Sequence, residues 1–425
     1  MKLTDADGMK LNRGHMGQDG EIRERYTRLE DCLNQNALDQ TITQYSISTQ
    51  RRNLKLQTKW HIRRYKKGDE QGIINLMKLE YGRNAELMLE KWEWQCKNNP
   101  FGCLVAVAEE RGTIVGHMAL VPVLMKIENM IVRAAQAVDL VVHPDFRRQG
   151  IFQALERELK GNAIEEEIAI SFAFPTKGDA SHLGFLKIGW VDICNIPLLV
   201  KPLDTYKMLS RHFANKYGTI KTMNEHKISR NVAKLFVHLA ALLVGFIMTI
   251  SPRRKDRFVS VGSHIREVST LDESLNDFWE GVCSNHNVIM VRDKEHLNWR
   301  YFQKPTKEYV VLLAKDGCRI QGYLVLTCKN GRSGYIVDML SYSDRSVIQC
   351  LVSEAIRYFT EKKIDSIRCL MSRNSPYYEI LRDNGFMVFP SNQMLTVHVN
   401  SPRVSTEYVK DPNNWYIAAG DSDHV

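Results

Sequence analysis

The same order of secondary-structure signals runs twice through this 425-residue chain, and no other feature restricts its fold as strongly. The segment "IVGH" around Gly116 returns as "IQGY" around Gly322, "VDL" at Asp139 returns as "VDM" at Asp338, and "FLKIGW" returns as "ILRDNGF". Spacing is kept as well as order: Gly189 lies 50 residues beyond Asp139, and Gly385 lies 47 beyond Asp338. Matching order and spacing predict a duplicated domain rather than two unrelated halves.

In the first stretch, alternating Trp60, Ile62 and Arg64 predict a strand, and Asp69 is placed to cap a helix carrying Ile73, Ile74, Leu76, Met77 and Leu79. A second helix runs from Ala85 to Cys96 and stops before the turn cluster "NNPFG". Strands follow in "CLVAVAEE", "TIVGHMALVPVLMKI" and "AAQAVDLVVH". Then come a helix from Ile151 to Glu165, the apolar run "IAISFAF", a short helix over Ser181 to Lys187, and a last strand, "VDICNIPLLV". This order predicts an α/β fold of the α+β kind, with a mixed sheet rather than an all-parallel one. In the second stretch, "YVVLLAKDGCRIQGYLVLTCKNGRSGYIVDML" supplies three strands at hairpin spacing, Ser346 to Lys362 a helix, "IDSIRCLM" a strand and Pro376 to Asp383 a helix.

The chain thus divides into a polar, mobile extension (1–58), a first domain (59–202), a linker (203–257), a second domain (258–400) and a tail (401–425). Within the linker, Leu235 to Ile250 carries no charge over 16 residues, fewer than the roughly 20 that cross a bilayer. His238, Gly245 and Thr249 share one helical stripe, and Arg253, Arg254, Lys255 and Arg257 follow. A buried or bridging helix, an interfacial anchor with a basic collar and a membrane span all fit segment 235–250, so peripheral membrane contact stays open. The N-terminal "MKLTDADGMKLNRGHMGQDGEIRERY" lacks an apolar signal core, and the nine cysteines form no C-x-x-C pair. Both point to a reduced, cytoplasmic protein with no metal site. The net charge of +9 favours an anionic partner. Dispersed basic residues and the lack of a recognised module argue against nucleic acid.

One short stretch localises that anion. In "HPDFRRQGIFQAL", Arg147, Arg148 and Gln149 precede Gly150, and an apolar-periodic helix follows at once. Such a turn after a strand gathers successive backbone N–H groups at the positive end of a helix dipole, a seat for phosphate or pyrophosphate. Gly150 lets the backbone approach closely, and the arginines can add charge-assisted bonds. A solvated basic turn is the competing reading of the motif alone.

"VDLVVHPDFRRQGIFQALERELK" resembles the acetyl-CoA-binding motif of the GCN5-related N-acetyltransferase (GNAT) family, Arg/Gln-x-x-Gly-x-Gly/Ala after a strand. Arg147, Gly150 and Phe152 occupy its three defined positions; Phe152 departs from the usual Gly or Ala. "FAFPTKGDASHLGFLKIGW" resembles the later motif that flanks the pantetheine and acetyl group. The resemblance covers Lys59 to Pro202 well and Phe258 to Val399 in outline, and it implies two acyl-CoA N-acyltransferase-like domains in tandem. It further implies that the backbone of Leu140 and Val142 pairs with the pantetheine arm, that Arg147, Arg148, Gln149, Gly150, Ile151 and Phe152 hold the pyrophosphate, and that the Leu140 amide is the oxyanion donor.

Acetyl transfer to an amine needs a deprotonated nucleophile, an oxyanion donor and a proton route. Asp139 is a candidate base, with a structural hydrogen bond as the alternative. The family's Tyr in the short helix is replaced by Phe185, which leaves Ser181, His182 or water to protonate the thiolate, or no group at all. The second copy has no glycine in "MLSYSDRSVIQCL", and Asp344 would repel a phosphate there, so it reads as a degenerate copy. "KEHLNWRYFQKP", with Trp299, Arg300, Tyr301 and Phe302, is a candidate acceptor-pocket lining or a piece of domain packing. The leading expectation is an acyltransferase acting with acetyl-CoA as cosubstrate on a small-molecule amine: a simple amine, an amino sugar or an aminoacyl group. The alternative is a non-catalytic CoA-binding or scaffold protein that keeps the fold.

Overall fold

The computed structural model describes residues 60–82, 84–208, 210, 239, 264–305, 308–342 and 344–423. The expectations for 1–58 and, Leu239 aside, for the apolar segment 235–250 lie outside the described residues. No helix among the described residues is long and apolar enough to cross a membrane.

The first half contributes β1 (His61–Arg64), α1 (Glu70–Tyr81), α2 (Ala85–Trp92) with a π-helical turn Glu93–Lys97, β2 (Leu104–Glu110), β3 (Thr113–Ile127), β4 (Met130–Val142), α3 (Ile151–Glu165), β5 (Ile170–Ala173), α4 (Ala180–Lys187), β6 (Val191–Asn195) and β7 (Leu198–Pro202). The second half contributes β8 (His264–Val268), α5 (Ser274–Val282), β9 (Val288–Met290), α6 (Lys294–Tyr301), β10 (Tyr309–Asp316), β11 (Arg319–Lys329), β12 (Ser333–Ser341), α7 (Arg345–Glu361), β13 (Ser366–Leu370), α8 (Tyr378–Asp383), β14 (Met387–Phe389), β15 (Met394–Val399) and α9 (Thr406–Lys410).

Two mixed sheets result. One runs β1-β2-β3-β4-β5-β15-β6 with β9 paired to the far end of β3, and the other runs β14-β7-β13-β12-β11-β10-β8. The pairs β4–β5 and β12–β13 are parallel, and the remaining ladders are antiparallel.

The sheets exchange strands. β7 leaves the first half to lie between β13 and β14, and β15 returns from the second half to lie between β5 and β6. The stretch "VDICNIPLLV", read from sequence as one strand, is therefore two strands in different sheets. The break falls at Ile196–Pro197, where proline cannot donate to a ladder. Each half completes its neighbour's sheet, and the described residues from Trp60 onward belong to one compact unit.

Alternation along the strands sorts side chains onto two faces. On one face of the first sheet, Ile73, Ile74, Met77 and Trp92 of the first two helices pack on Val107, Val138 and Val141. On the other, Ile151, Leu155 and Leu159 of α3 and Phe185 of α4 pack on Ala106, Met118 and Ala137. Each fully buried aliphatic side chain contributes roughly 1.5–3 kcal/mol. A Cβ at Gly116 would stand 2.7 Å from Ile151, and one at Gly322 would stand 3.1 Å from Val347 at the start of α7. The recurring glycine thus lets a helix start close against its sheet in both halves. Asp69 departs from the sequence expectation: its side chain makes no cap and instead takes two bonds from Arg63, at 2.6 and 2.8 Å.

Residues 401–423 are also ordered. Tyr416 N–H donates to the Val288 carbonyl at 2.9 Å, and Ser372 N–H to the Ile417 carbonyl at 3.1 Å. This carries the segment between the two halves and places Asp421 and Asp423 beside the first sheet.

Candidate functional site

The site begins where β4 and β5 part. Their parallel pairing covers only Ala134–Gln136 against Ile170–Phe172, although β4 continues to Val142. From Ala137 onward β4 is paired with β3 alone, so the far edge of Leu140 and Val142 has no partner strand. An extended ligand can add there as a strand would.

At the end of β4 the chain makes a 3-10 turn, Pro144–Phe146, capped by His143, whose Nδ1 accepts from Asp145 N–H at 3.3 Å. Arg148 and Gly150 then take left-handed backbone angles, φ 62° and 86°. Gly150 starts the 15-residue helix α3 with no side-chain cap, leaving its first N–H groups directed outward. Arg147, Arg148, Gln149 and Gly150 are exposed, Ile151 is buried and Phe152 is half-buried. Arg147 braces the turn, donating to the Val142 carbonyl at 3.1 Å and pairing with Glu80. Gln149 donates to the Asp145 carbonyl at 3.1 Å.

Phe152 has a structural reason. Its ring meets Phe185 edge to face, centroids 5.5 Å apart, and covers Gly184, where a Cβ would stand 2.7 Å from the ring. The bulk that the family motif leaves out of α3 is here accommodated by a glycine in α4. Phe185 in turn packs on Trp190 at 4.5 Å.

Ser181 and His182 serve the fold at this end of the gap. Ser181 donates to Asp179 at 2.9 Å, within the cap of α4. His182 accepts from Gly178 N–H at Nδ1, 3.1 Å, and donates from Nε2 to Asp192 at 3.0 Å, while Thr396 of the exchanged strand β15 also donates to Asp192. Both nitrogens of His182 are thereby engaged.

Asp139 lies on the opposite face. A register shift between His117 and Ala119 marks a bulge in the β3–β4 ladder, and Asp139 sits in it at φ 50°. Its carbonyl accepts from His117 Nδ1 at 2.8 Å, and Trp92 donates to His117 Nε2 at 3.4 Å. Burial lowers the pKa of His117, so the ring is a neutral clamp on the bulge. The Asp139 carboxylate is 3.6 Å from Lys91 Nζ, which also reaches Asp423 at 3.9 Å; Asp423 accepts from Gln136 at 2.9 Å. The structure thus separates the candidate site residues: Asp139 faces α2 and the tail, whereas Ser181 and His182 belong to the α4 end.

Beside this carboxylate pair lies a cleft of about 20 Å³ between the halves, lined by Trp94, Gln95, Gln136, His296, Trp299 and Asp423, among others. Trp94 and Trp299 stack at 4.7 Å, and Arg300 holds the tail through the carbonyls of Gly420 at 3.0 Å and Ser422 at 2.6 Å. Sequence reasoning singled out Trp299 and Arg300 but missed Lys91, Gln95, Gln136, His296 and Asp423. The apolar run "WYIAA" before Gly420 was the signal that the tail is packed.

Among the described residues of the second half, the place equivalent to this gap is filled by side chains. Asp344 caps α7 by accepting from Ser346 N–H at 2.8 Å. The Tyr377 hydroxyl accepts from Ser341 N–H at 2.9 Å and donates to its carbonyl at 3.2 Å, while Tyr416 donates to the Met339 carbonyl. Protein groups occupy the edge of β12 that a pantetheine would need.

Burial, with the charges of Arg292 and Arg300, pushes His296 down to about 3, and burial with Arg292 and Lys126 pushes His286 down to about 4. An unfolded histidine titrates near 6.5, so as pH falls the unfolded chain takes up these protons first. The stability carried by each neutral ring is therefore complete above about pH 6.5 and is lost towards pH 4 at up to about 1.4 kcal/mol per pH unit. Urea titrations between pH 7 and 4 should show this slope, and His286→Phe should make it shallower. An identical slope in the variant would remove His286 from the account.

Residues 61–185 match the family model described as an acetyltransferase (GNAT) domain. No curated protein matches the chain in sequence. Among solved structures, a probable N-acyltransferase of unknown function from Enterococcus faecalis is similar at TM-score 0.56 and 11% identity, over 80% of this chain and 72% of that one. A GCN5-related N-acetyltransferase from Anabaena variabilis gives 0.55 and 12%, over 80% and 73%. Saccharomyces cerevisiae N-myristoyltransferase with bound myristoyl-CoA gives 0.52 and 11%, over 85% and 84%. The parted β4 and β5, the glycine-opened helix beside them and the family match over the same residues lead to one assignment: residues 61–185 are a domain of the GNAT acetyltransferase family, set in a chain with an N-acyltransferase-like fold of two mixed sheets.

Proposed function

We propose that this protein is a CoA-dependent N-acyltransferase that moves an acetyl group from acetyl-CoA to a primary amine. The observation that carries the reading is the unpaired edge of β4 ending at an uncapped, left-handed glycine that opens α3. Leu140 and Val142 would pair with the pantetheine arm, and the amides from Arg148 to Phe152 would take the pyrophosphate. Arg148 stands exposed at the rim to add charge.

The amine nitrogen attacks the thioester carbon, the carbonyl oxygen takes the negative charge, and the Leu140 N–H donates to it. Asp139 accepts the amine proton through a water, with the Lys91 ammonium at 3.6 Å as counter-charge. The carbon–sulfur bond then breaks. Phe185 offers no proton to the departing sulfur, and Ser181 and His182 are committed elsewhere, so the thiolate leaves to solvent.

Titration calorimetry with acetyl-CoA, followed by thioester consumption across a panel of amines, tests the reading. Stoichiometric binding without turnover would favour a non-catalytic CoA-binding protein, a reading supported by the same three side chains. In an active protein, Asp139→Asn should lower kcat by about 100–10,000-fold and remove the acidic limb of the pH–rate profile while acetyl-CoA still binds. An unaltered profile would eliminate Asp139 as the base.

A further inference from the structure

In the cleft between the halves, Gln95 Oε1 and His296 Nδ1 are buried polar atoms that no protein group satisfies. Both residues line the cleft, and they are 2% and 4% exposed. A buried unpaired polar atom costs about 1–3 kcal/mol, so a pair converging on one space marks a place where something else bonds. The cleft volume, about 20 Å³, suits one water-sized group.

Charge decides what kind of group. Asp423 is engaged by Gln136 and Lys91, and Asp421 by Arg292 at 2.8 Å. Arg300 and Lys304 lie over the Trp94 ring at 5.7 and 5.0 Å. An ammonium in the cleft would sit beside these cations, and a carboxylate would exceed its volume and lie near Asp421 and Asp423. A hydroxyl fits, because it donates one bond and accepts others. With His296 as its Nδ1–H tautomer, the hydroxyl gives its hydrogen to Gln95 Oε1 and accepts from His296 Nδ1.

Resting on the acyltransferase reading, we infer that the cleft formed by Gln95 and His296 is the acceptor subsite, and that it selects an amine carrying a neutral hydroxyl. Gln136 lines the cleft and Leu140 lies four residues along the same strand. At 3.2–3.4 Å per residue this sets the hydroxyl roughly 13 Å from the reacting centre. The acceptor class is therefore an amino alcohol or a similarly spaced hydroxylated amine.

The test compares 9-aminononan-1-ol with nonylamine and 1,9-diaminononane, both as acceptors and as ligands in calorimetry on protein saturated with CoA. The amino alcohol should bind and react about 10–100-fold better than nonylamine, the range expected for satisfying one such site. Gln95→Met and, separately, His296→Phe should bring the two to parity without changing the affinity for acetyl-CoA. Equal use of amino alcohol and alkylamine by the wild type, preference for the diamine, or a preference that survives both substitutions would overturn the inference; in the first of these cases the cleft holds a structural water. Hydroxyl-dependent binding with no thioester consumption would instead overturn the acyltransferase reading and leave the subsite standing.

Discussion

Gly150→Val is expected to weaken acetyl-CoA binding by at least about 100-fold, through the loss of one or two charge-assisted bonds to phosphate. Gly150 sits at φ 86° with nothing within 4 Å of where a Cβ would stand. The substitution therefore meets no protein neighbour. Its cost is conformational, about 1–3 kcal/mol for a β-branched residue in left-handed backbone, and it is relieved by turning the amides of residues 148–152 away from their common focus. Circular dichroism should show an intact fold, while calorimetry shows the lost affinity. Acetyl-pantetheine, which has no pyrophosphate, supplies the control: its weaker binding at Leu140 and Val142 should be unchanged. An equal loss for both ligands would mean that the substitution deforms β4 and that the turn does not hold the phosphates.

That turn was legible in the sequence because everything it needs is local. A strand, a basic turn, a glycine and a helix follow one another within a few residues, and they specify the left-handed backbone at Arg148 and Gly150. The duplication was legible for a related reason: Gly116 and Gly322 recur because each must admit the first turn of a helix, Ile151 in one half and Val347 in the other. Strand exchange is another matter. "VDICNIPLLV" alternates in the same way whether it forms one strand or two, and nothing in Leu198–Pro202 distinguishes pairing with β13 from pairing with β5.

The cleft was illegible on the same grounds. Gln95 comes from the π-helical turn, Gln136 from β4, His296 from α6 and Asp423 from the tail, and only the assembled halves bring them together. Sequence spacing treats a lone glutamine or histidine as ordinary. Here burial without a partner is what sets Gln95 and His296 apart. The two copies of the Asp landmark diverge for a similar reason. Asp139 occupies a left-handed bulge at the cleft, whereas Asp338 is locked among Arg292, Tyr301 and Tyr323, so the same dipeptide signal marks a candidate base in one half and a structural anchor in the other.

That anchor sets the second large effect. Arg292 is 1% exposed and bonds Asp338 at 3.2 Å, Asp421 at 2.8 Å and the Met290 carbonyl at 2.7 Å, with the Tyr416 ring 5.0 Å away. Burial opposes its charge, but the two carboxylates outweigh burial and raise its pKa well above the usual value. Arg292→Leu leaves both carboxylates buried without a counter-charge and should cost about 3–5 kcal/mol, read as a lower urea midpoint. The tail should loosen with it, because Asp421 links residues 419–423 to the second half. Trypsin should then cleave at Lys410 under native conditions. Arg292→Leu combined with Asp338→Asn and Asp421→Asn should recover most of the loss, since the charges are gone and an amide oxygen at 338 still accepts from the Tyr301 and Tyr323 hydroxyls. A single-variant loss below about 1 kcal/mol, the usual range for substitutions outside such clusters, would mean that Asp338 and Asp421 are satisfied without Arg292. Retained stability together with a protected Lys410 would show that the tail is held by Arg300 and the Trp415–Ala418 contacts alone.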